Sequence, residues 1–145
     1  IDVDTGIGMV LPPPLQQDQQ PPPIKDRNML TVLVNAQGEL LVEEEPMPVN
    51  QLRSEVRTHV TNNGQNPDYS DSPQDAIVSI KTQEQTPYSD YIEVLDEVKM
   101  GYKEVRNGVA RNKFGQPFDQ LNDQQKQQIK KQIPLKISIA EPDTG

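Results

Sequence analysis

The chain has no cysteine, one histidine, two phenylalanines and no apolar run near the length of a membrane span. Without cysteine there is neither a disulfide framework nor a thiolate metal site, and that absence decides nothing about compartment. The lone histidine, His59, lacks the cluster of partners that a zinc site needs. It sits one residue off the stripe Leu52/Val56/Val60, which predicts a partly exposed helix residue. Basic residues are few: 14 against 22 acidic give a formal charge of −8. That balance argues against nucleic acid and against an anionic membrane surface, which both need clustered Lys and Arg. Hydrophobic residues are 32% of the 145, so the expected core is modest, and the length allows one domain plus a tail.

Reaction machinery is equally scarce. Asp68, Ser70 and Ser72 begin like a calcium loop, but Pro73 stands where the loop needs glycine and Ser79 where it needs glutamate. Glu43–Glu45 reads as a solvated guard of a strand edge. Glu93, Asp96, Glu97 and Glu104 read as the solvated outer face of a helix, and no carboxylate pair stands out as acid and base. No serine lies in a glycine-flanked elbow. The expectation is a protein that is not an enzyme and needs no cofactor or metal.

Proline is abundant and uneven. Of 14 prolines, six lie in two triplets at residues 12–14 and 21–23, around a Gln-rich spacer. Such blocks favour polyproline II, so residues 1–28 are expected to be an extended tether. At ~3.1 Å per residue, 28 residues reach roughly 85 Å. Ile7, Met9, Val10, Leu11 and Pro12 form an apolar island that a pure linker would not need, and they are a candidate partner-binding motif. The opening residues, IDVDTGIG, with no initiating Met and no signal peptide, read as an internal cut, with any membrane anchor expected upstream.

From Met29 the pattern changes. Residues 29–34 and 39–42 read as a β-hairpin around Gly38. Val49, Leu52, Val56 and Val60 mark a helix that stops at Asn62-Asn63-Gly64. Residues 64–74 read as a loop and 76–80 as a third strand. Thr86 is the expected N-cap, with Pro87 at the first position of a helix that extends to about Asn112. That helix carries Tyr88, Ile92, Leu95, Val98 and Tyr102 on one face, and Gly101 and Gly108 each weaken it by up to ~1 kcal/mol. Tyr88, Tyr91 and Tyr102 read first as core packing and, where exposed, as a candidate interface. Pro117 precedes a Gln-rich helix at about 119–131, and residues 135–140 form a last strand. The order ββαβααβ predicts an α+β fold: a small mixed sheet with helices packed on one face, spanning 29–141, followed by a tail at 142–145.

The run V-x-I-K-T-x-x-x-T-P-Y-x-x-Y-I-x-V-L-D-E-V-K, Val78 to Lys99, resembles the periplasmic domain of the ExbD/TolR family. Gly38, Leu40, Val42, Val49 and Leu52 match a second apolar pattern of that family, and the island before Pro12 is similar to its membrane-proximal motif. The resemblance covers residues 6–12 and 30–105. The tether and the added segment 106–132 look like the Bacteroidetes branch of ExbD. The resemblance implies the periplasmic part of an accessory subunit in a proton-motive-force-driven motor, anchored in the inner membrane by one N-terminal helix. It implies an ExbB-like ring, TonB and a second copy of the chain as partners, no nucleic acid, and service to TonB-dependent outer-membrane transport. A TolR-like subunit that binds peptidoglycan is the close alternative. A free periplasmic binding or inhibitor module is the third.

Overall fold

The computed structural model describes residues 23–140. Five strands form one mixed sheet in the order β3-β2-β1-β4-β5. They are β1 (Met29–Val34), β2 (Leu40–Val42), β3 (Glu45–Pro46), β4 (Ile77–Thr82) and β5 (Ile137–Ile139). Three helices complete the fold: α1 (Leu52–Val60), α2 (Tyr88–Phe114) and α3 (Asp123–Gln132). The expected α+β order ββαβααβ holds, with the two-residue β3 added after the hairpin.

β1 alternates half-buried and buried residues along its length, the period-two signature of a sheet covered on one face. Leu30, Val32 and Val34 of β1, Leu40 and Val42 of β2, and Val78 and Ile80 of β4 point into the core. Leu52, Val56 and Val60 of α1 and Val94, Leu95, Val98, Tyr102 and Val105 of α2 meet them there. β1 pairs antiparallel with β2 and parallel with β4, and β4 pairs parallel with β5. The parallel pairings bring the starts of β1, β4 and β5 to one end of the sheet, Met29 beside Ile77 and Val78 beside Ile137.

Gly38 has φ of +79°, as the hairpin turn requires, and Asp90 of α2 packs where its Cβ would stand. Between β2 and β3, Glu43 and Glu44 also take positive φ, 50° and 70°. This conformation is uncommon for side-chain-bearing residues. Glu43 is held there twice over: its N–H donates to the Thr31 carbonyl (2.9 Å), and its carboxylate accepts from the Thr31 N–H (2.7 Å). Glu43 is therefore tied to β1 and is not simply a solvated guard. Glu45-Pro46 is the edge strand itself. The other edge is β5. Residues 30–34 lie in the central strand.

Three further expectations are corrected. Thr86 does not cap α2. Pro87 precedes the first helical residue, and the Thr86 hydroxyl instead donates to the Val34 carbonyl and accepts from the Gln83 N–H, both at 2.8 Å. The end of β1 has a carbonyl to satisfy, and Thr86 lies against it. Tyr88 does not join the buried face: it is 75% exposed, one of two large hydrophobic residues the described surface leaves open, with Ile24. Gly101 is a close contact rather than a weak point, because a Cβ there would lie 2.9 Å from Val56 Cβ. α1 and α2 touch backbone to side chain at that point.

The segment 106–132 completes α2 and adds α3 with a small core of its own. Ala110, Leu121 and Ile129 are buried together, with Phe114 and Phe118 packed on them. Asn122 and Gln125 form a reciprocal capping box at the start of α3. Arg106, buried in α2, donates from Nε to the Ile133 carbonyl (3.0 Å) and lies over the Phe118 ring.

Candidate functional site

A polar cluster lies where residues 25–28 enter β1. Asp71, in the loop between α1 and β4, pairs with Lys25 (3.3 Å) and Arg27 (3.2 Å). Arg27 also donates to the carbonyls of Tyr69 (2.9 Å) and Asn66 (3.1 Å). Asn28 is buried and uses both ends of its amide: Oδ1 accepts from the Asp71 N–H (2.8 Å), and Nδ2 donates to the Asp71 carboxylate (3.3 Å). Its carbonyl meets His59 Nε2 at 2.9 Å. The loop side is braced in turn, because Ser70 donates its hydroxyl to the His59 carbonyl and Asn62 Nδ2 bonds the carbonyls of Asn66 and Ser70.

His59 is thus a core residue, only 1% exposed, and the expectation of partial exposure is corrected. The stripe argument placed it one position off the apolar face, yet the loop 61–76 folds over that flank and buries it. Its Nδ1 is buried without a hydrogen-bond partner. Burial holds the imidazole below its ordinary pKa. The bond to Asn28, the backbone of Ile77 and the charges of Glu43 and Glu55 pull weakly the other way. Tyr69 closes the cluster from outside. Its ring lies 6.2 Å from that of His59, and its hydroxyl donates to Glu55 at 2.9 Å. Burial, with that bond and the Glu55 charge, pushes its pKa up to about 12. For Asp71, burial raises the carboxyl, but the bonds from Lys25 and Asn28 and the charges of Arg27 and Lys25 hold it below the usual carboxylate range.

These contacts make a clamp. They join the last residues of the expected tether to α1 and to the α1–β4 loop, so the anticipated boundary at 28/29 runs through the middle of a bonded cluster. None of its five central members, Lys25, Arg27, Asn28, His59 and Asp71, was singled out as a site by sequence. Asn28 and Asp71 are 43 residues apart, and no periodicity links them.

The tyrosines separate. Tyr88 and Tyr91 pair at the start of α2, ring centroids 6.1 Å apart. Tyr102 is 1% exposed, packs in the core and donates to the Lys136 carbonyl (3.4 Å), which is the core-packing reading of this residue. Glu97 and Glu104, expected on a solvated face, instead bond Arg53 of α1 at 3.0 and 3.1 Å, and Arg57 also pairs with Glu104. The island Ile7, Met9, Val10, Leu11 and Pro12 lies outside the described residues. Among the described residues no group of three or more histidines and carboxylates gathers into a metal site, and no helix is long and apolar enough to cross a membrane.

The fold is a small α+β module whose chain entry into β1 is bonded to the loop between α1 and β4. Comparison with known families identifies it further: residues 1–111 match the family described as biopolymer transport protein ExbD/TolR, and the chain belongs to that family. Members of the family are accessory subunits of biopolymer transport without enzymatic activity of their own. They are anchored in the inner membrane, carry a periplasmic domain, and work with ExbB and with TonB or Tol partners. The match ends at Arg111, so the end of α2, all of α3 and β5 lie beyond it. No curated protein matches the chain.

Proposed function

We propose that this domain is the periplasmic part of an ExbD-like accessory subunit. In this reading it belongs to a proton-motive-force-driven inner-membrane motor that energises TonB-dependent outer-membrane transport. The observation that carries the reading is the clamp. A domain that receives motion through an N-terminal tether needs the tether to end on a rigid body. Here two ion pairs and a buried, doubly bonded Asn28 weld residues 25–28 to the loop before β4. Load arriving at Lys25 is then shared between β1 and that loop.

Two contacts follow from the reading. The island Ile7–Pro12 binds as an added strand or extended peptide, on a partner or on a second copy of the domain. Among the described residues the outer rim of β5 is the better sheet edge for such pairing, because β3 carries Pro46, which offers no N–H to a neighbour. Exposed Tyr88, with half-buried Tyr91 beside it, is the aromatic element offered to a partner interface.

The test is complementation of a strain that lacks the subunit. The natural full-length protein restores growth on a nutrient imported by a TonB-dependent transporter, and Val10→Asp with Leu11→Asp abolishes it while residues 29–141 stay folded. Restored envelope integrity without restored transport would assign the protein to the TolR-like role instead.

A further inference from the structure

The loop between α1 and β4 is docked differently from the rest of the fold. The apolar core includes Val60 and Ala76 but no residue between them. Of residues 61–75 only Ser70 is buried, and its hydroxyl sits on the His59 carbonyl. The loop is therefore held by polar contacts and by the Tyr69 ring against His59. A segment without apolar anchors is the kind that opens while the core stays closed.

His59 lies under this loop and touches the chain entry. The Asn28 carbonyl can only accept, so the ring meets it as an Nε2–H donor, and Nδ1 is left as a bare, buried lone pair. The backbone of Ile77, at the start of β4, favours a second N–H on the ring but makes no hydrogen bond with the neutral one. Nδ1 is the atom that takes a proton from water when the pH falls.

The charged ring has no counter-ion waiting for it. Glu55, on the same helix, accepts from the Tyr69 hydroxyl (2.9 Å), and Glu43 accepts from the Thr31 N–H (2.7 Å). Asp71 of the loop is already shared by Lys25, Arg27 and Asn28. Lys25 and Arg27 of the chain entry bring further positive charge to the same end. A buried imidazolium in that setting is relieved most cheaply by water. The covering loop is the one element nearby that no apolar contact holds in place.

We propose that His59 is a proton-operated latch on the chain entry: protonation of its imidazole opens the loop 61–76 and frees residues 25–28, while the sheet and the three helices stay folded. Opening removes the Arg27 bonds to the Tyr69 and Asn66 carbonyls and the contacts of Asp71 with Lys25, Arg27 and Asn28 together, because all of them end on the loop. The clamp is thus rigid near neutral pH and slack in acid. The latch acts on the chain entry itself and requires no particular transport partner.

The experiment follows the full chain by NMR from about pH 7.5 to about pH 5. Ring signals of His59 report its protonation. Protection factors, corrected for the intrinsic pH dependence of exchange, report opening at the amides of Asn28, Gly64 and Asp71, which donate to the Lys25 carbonyl, the Ser70 carbonyl and Asn28 Oδ1. Protection at these three is expected to fall by up to about tenfold per pH unit from about 6.5 downwards and to level off at the ring's own midpoint. Amides of β4 and α2 remain at least about tenfold better protected. His59→Gln keeps a donor for the Asn28 carbonyl and removes the titration, so its clamp amides show no such fall. In the parent alone, a ring that titrates while the clamp amides stay flat overturns the proposal, as does a ring that stays neutral down to about pH 5. So do clamp amides that exchange no faster than those of β4 and α2, which means unfolding of the whole domain, or a fall that persists in His59→Gln.

Discussion

Asn28 and Asp71 hold each other twice, the Asp71 N–H on Asn28 Oδ1 at 2.8 Å and Asn28 Nδ2 on the Asp71 carboxylate at 3.3 Å. A reciprocal pair of this kind resists both sliding and rotation of one segment on the other. It also removes a buried amide and a backbone donor from any need for water. The entry of the chain into β1 is therefore part of the folded body.

Asn28→Ala leaves the Asp71 N–H without its acceptor and takes one donor from the Asp71 carboxylate, while the backbone carbonyl that meets His59 is kept. A loss of about 1–3 kcal/mol in unfolding free energy is expected, the usual cost of a buried polar group left unmatched. Amide exchange at residues 28–32 and 69–72 accelerates in the same variant. Urea denaturation with exchange mass spectrometry checks both, and a double mutant with Asp71→Ala is expected to be less than additive.

His59 makes stability depend on pH. Its folded pKa lies below its unfolded value, so the folded state binds fewer protons in the intervening window. The stabilising contribution is full above the ordinary histidine range and is lost as pH falls through about 6.5 towards the folded pKa. Asp71, held below the carboxylate range, adds a loss of the same sign at more acidic pH. His59→Gln keeps an amide donor for the Asn28 carbonyl and is expected to flatten the slope between neutral pH and pH about 5. Denaturation midpoints measured across that interval decide it.

The two glycines of α2 predict opposite signs. Gly101→Ala drives a methyl against Val56 and is expected to destabilise by about 1–3 kcal/mol despite the better helix propensity. Gly108→Ala meets nothing and is expected to stabilise by up to ~1 kcal/mol. Urea midpoints of the two variants, moving in opposite directions, are the check.

Arg106 ties α2 to the segment that leads into β5. Arg106→Met preserves the apolar stem but leaves the Ile133 carbonyl without its donor, at a cost of about 1–3 kcal/mol. The loss should be felt locally as well, as faster amide exchange in α3 and β5 with little change in β1 and β2.

Much of the architecture was legible because it is written in short-range pattern. The alternation Leu30, Val32, Val34, the spacing Leu52, Val56, Val60 and the turn at Gly38 are period and backbone effects, and each appears in the structure where the pattern put it. The family resemblance rested on the same apolar spacing over residues 6–12 and 30–105, and residues 1–111 match that family. What failed were questions of environment. Whether His59 is wet or buried depends on a loop folding over one flank of α1. Whether Glu97 and Glu104 face water depends on Arg53, a partner more than forty residues away. Whether Thr86 caps a helix or bonds a strand depends on where β1 ends, 52 residues earlier. The sequence by itself determined which segments are helix and strand, because those follow from nearest neighbours and burial period. Only the tertiary structure decided the clamp of Asn28, Asp71 and His59 and the unequal fates of Gly101 and Gly108, because a polar partner or a close contact exists only once distant segments meet.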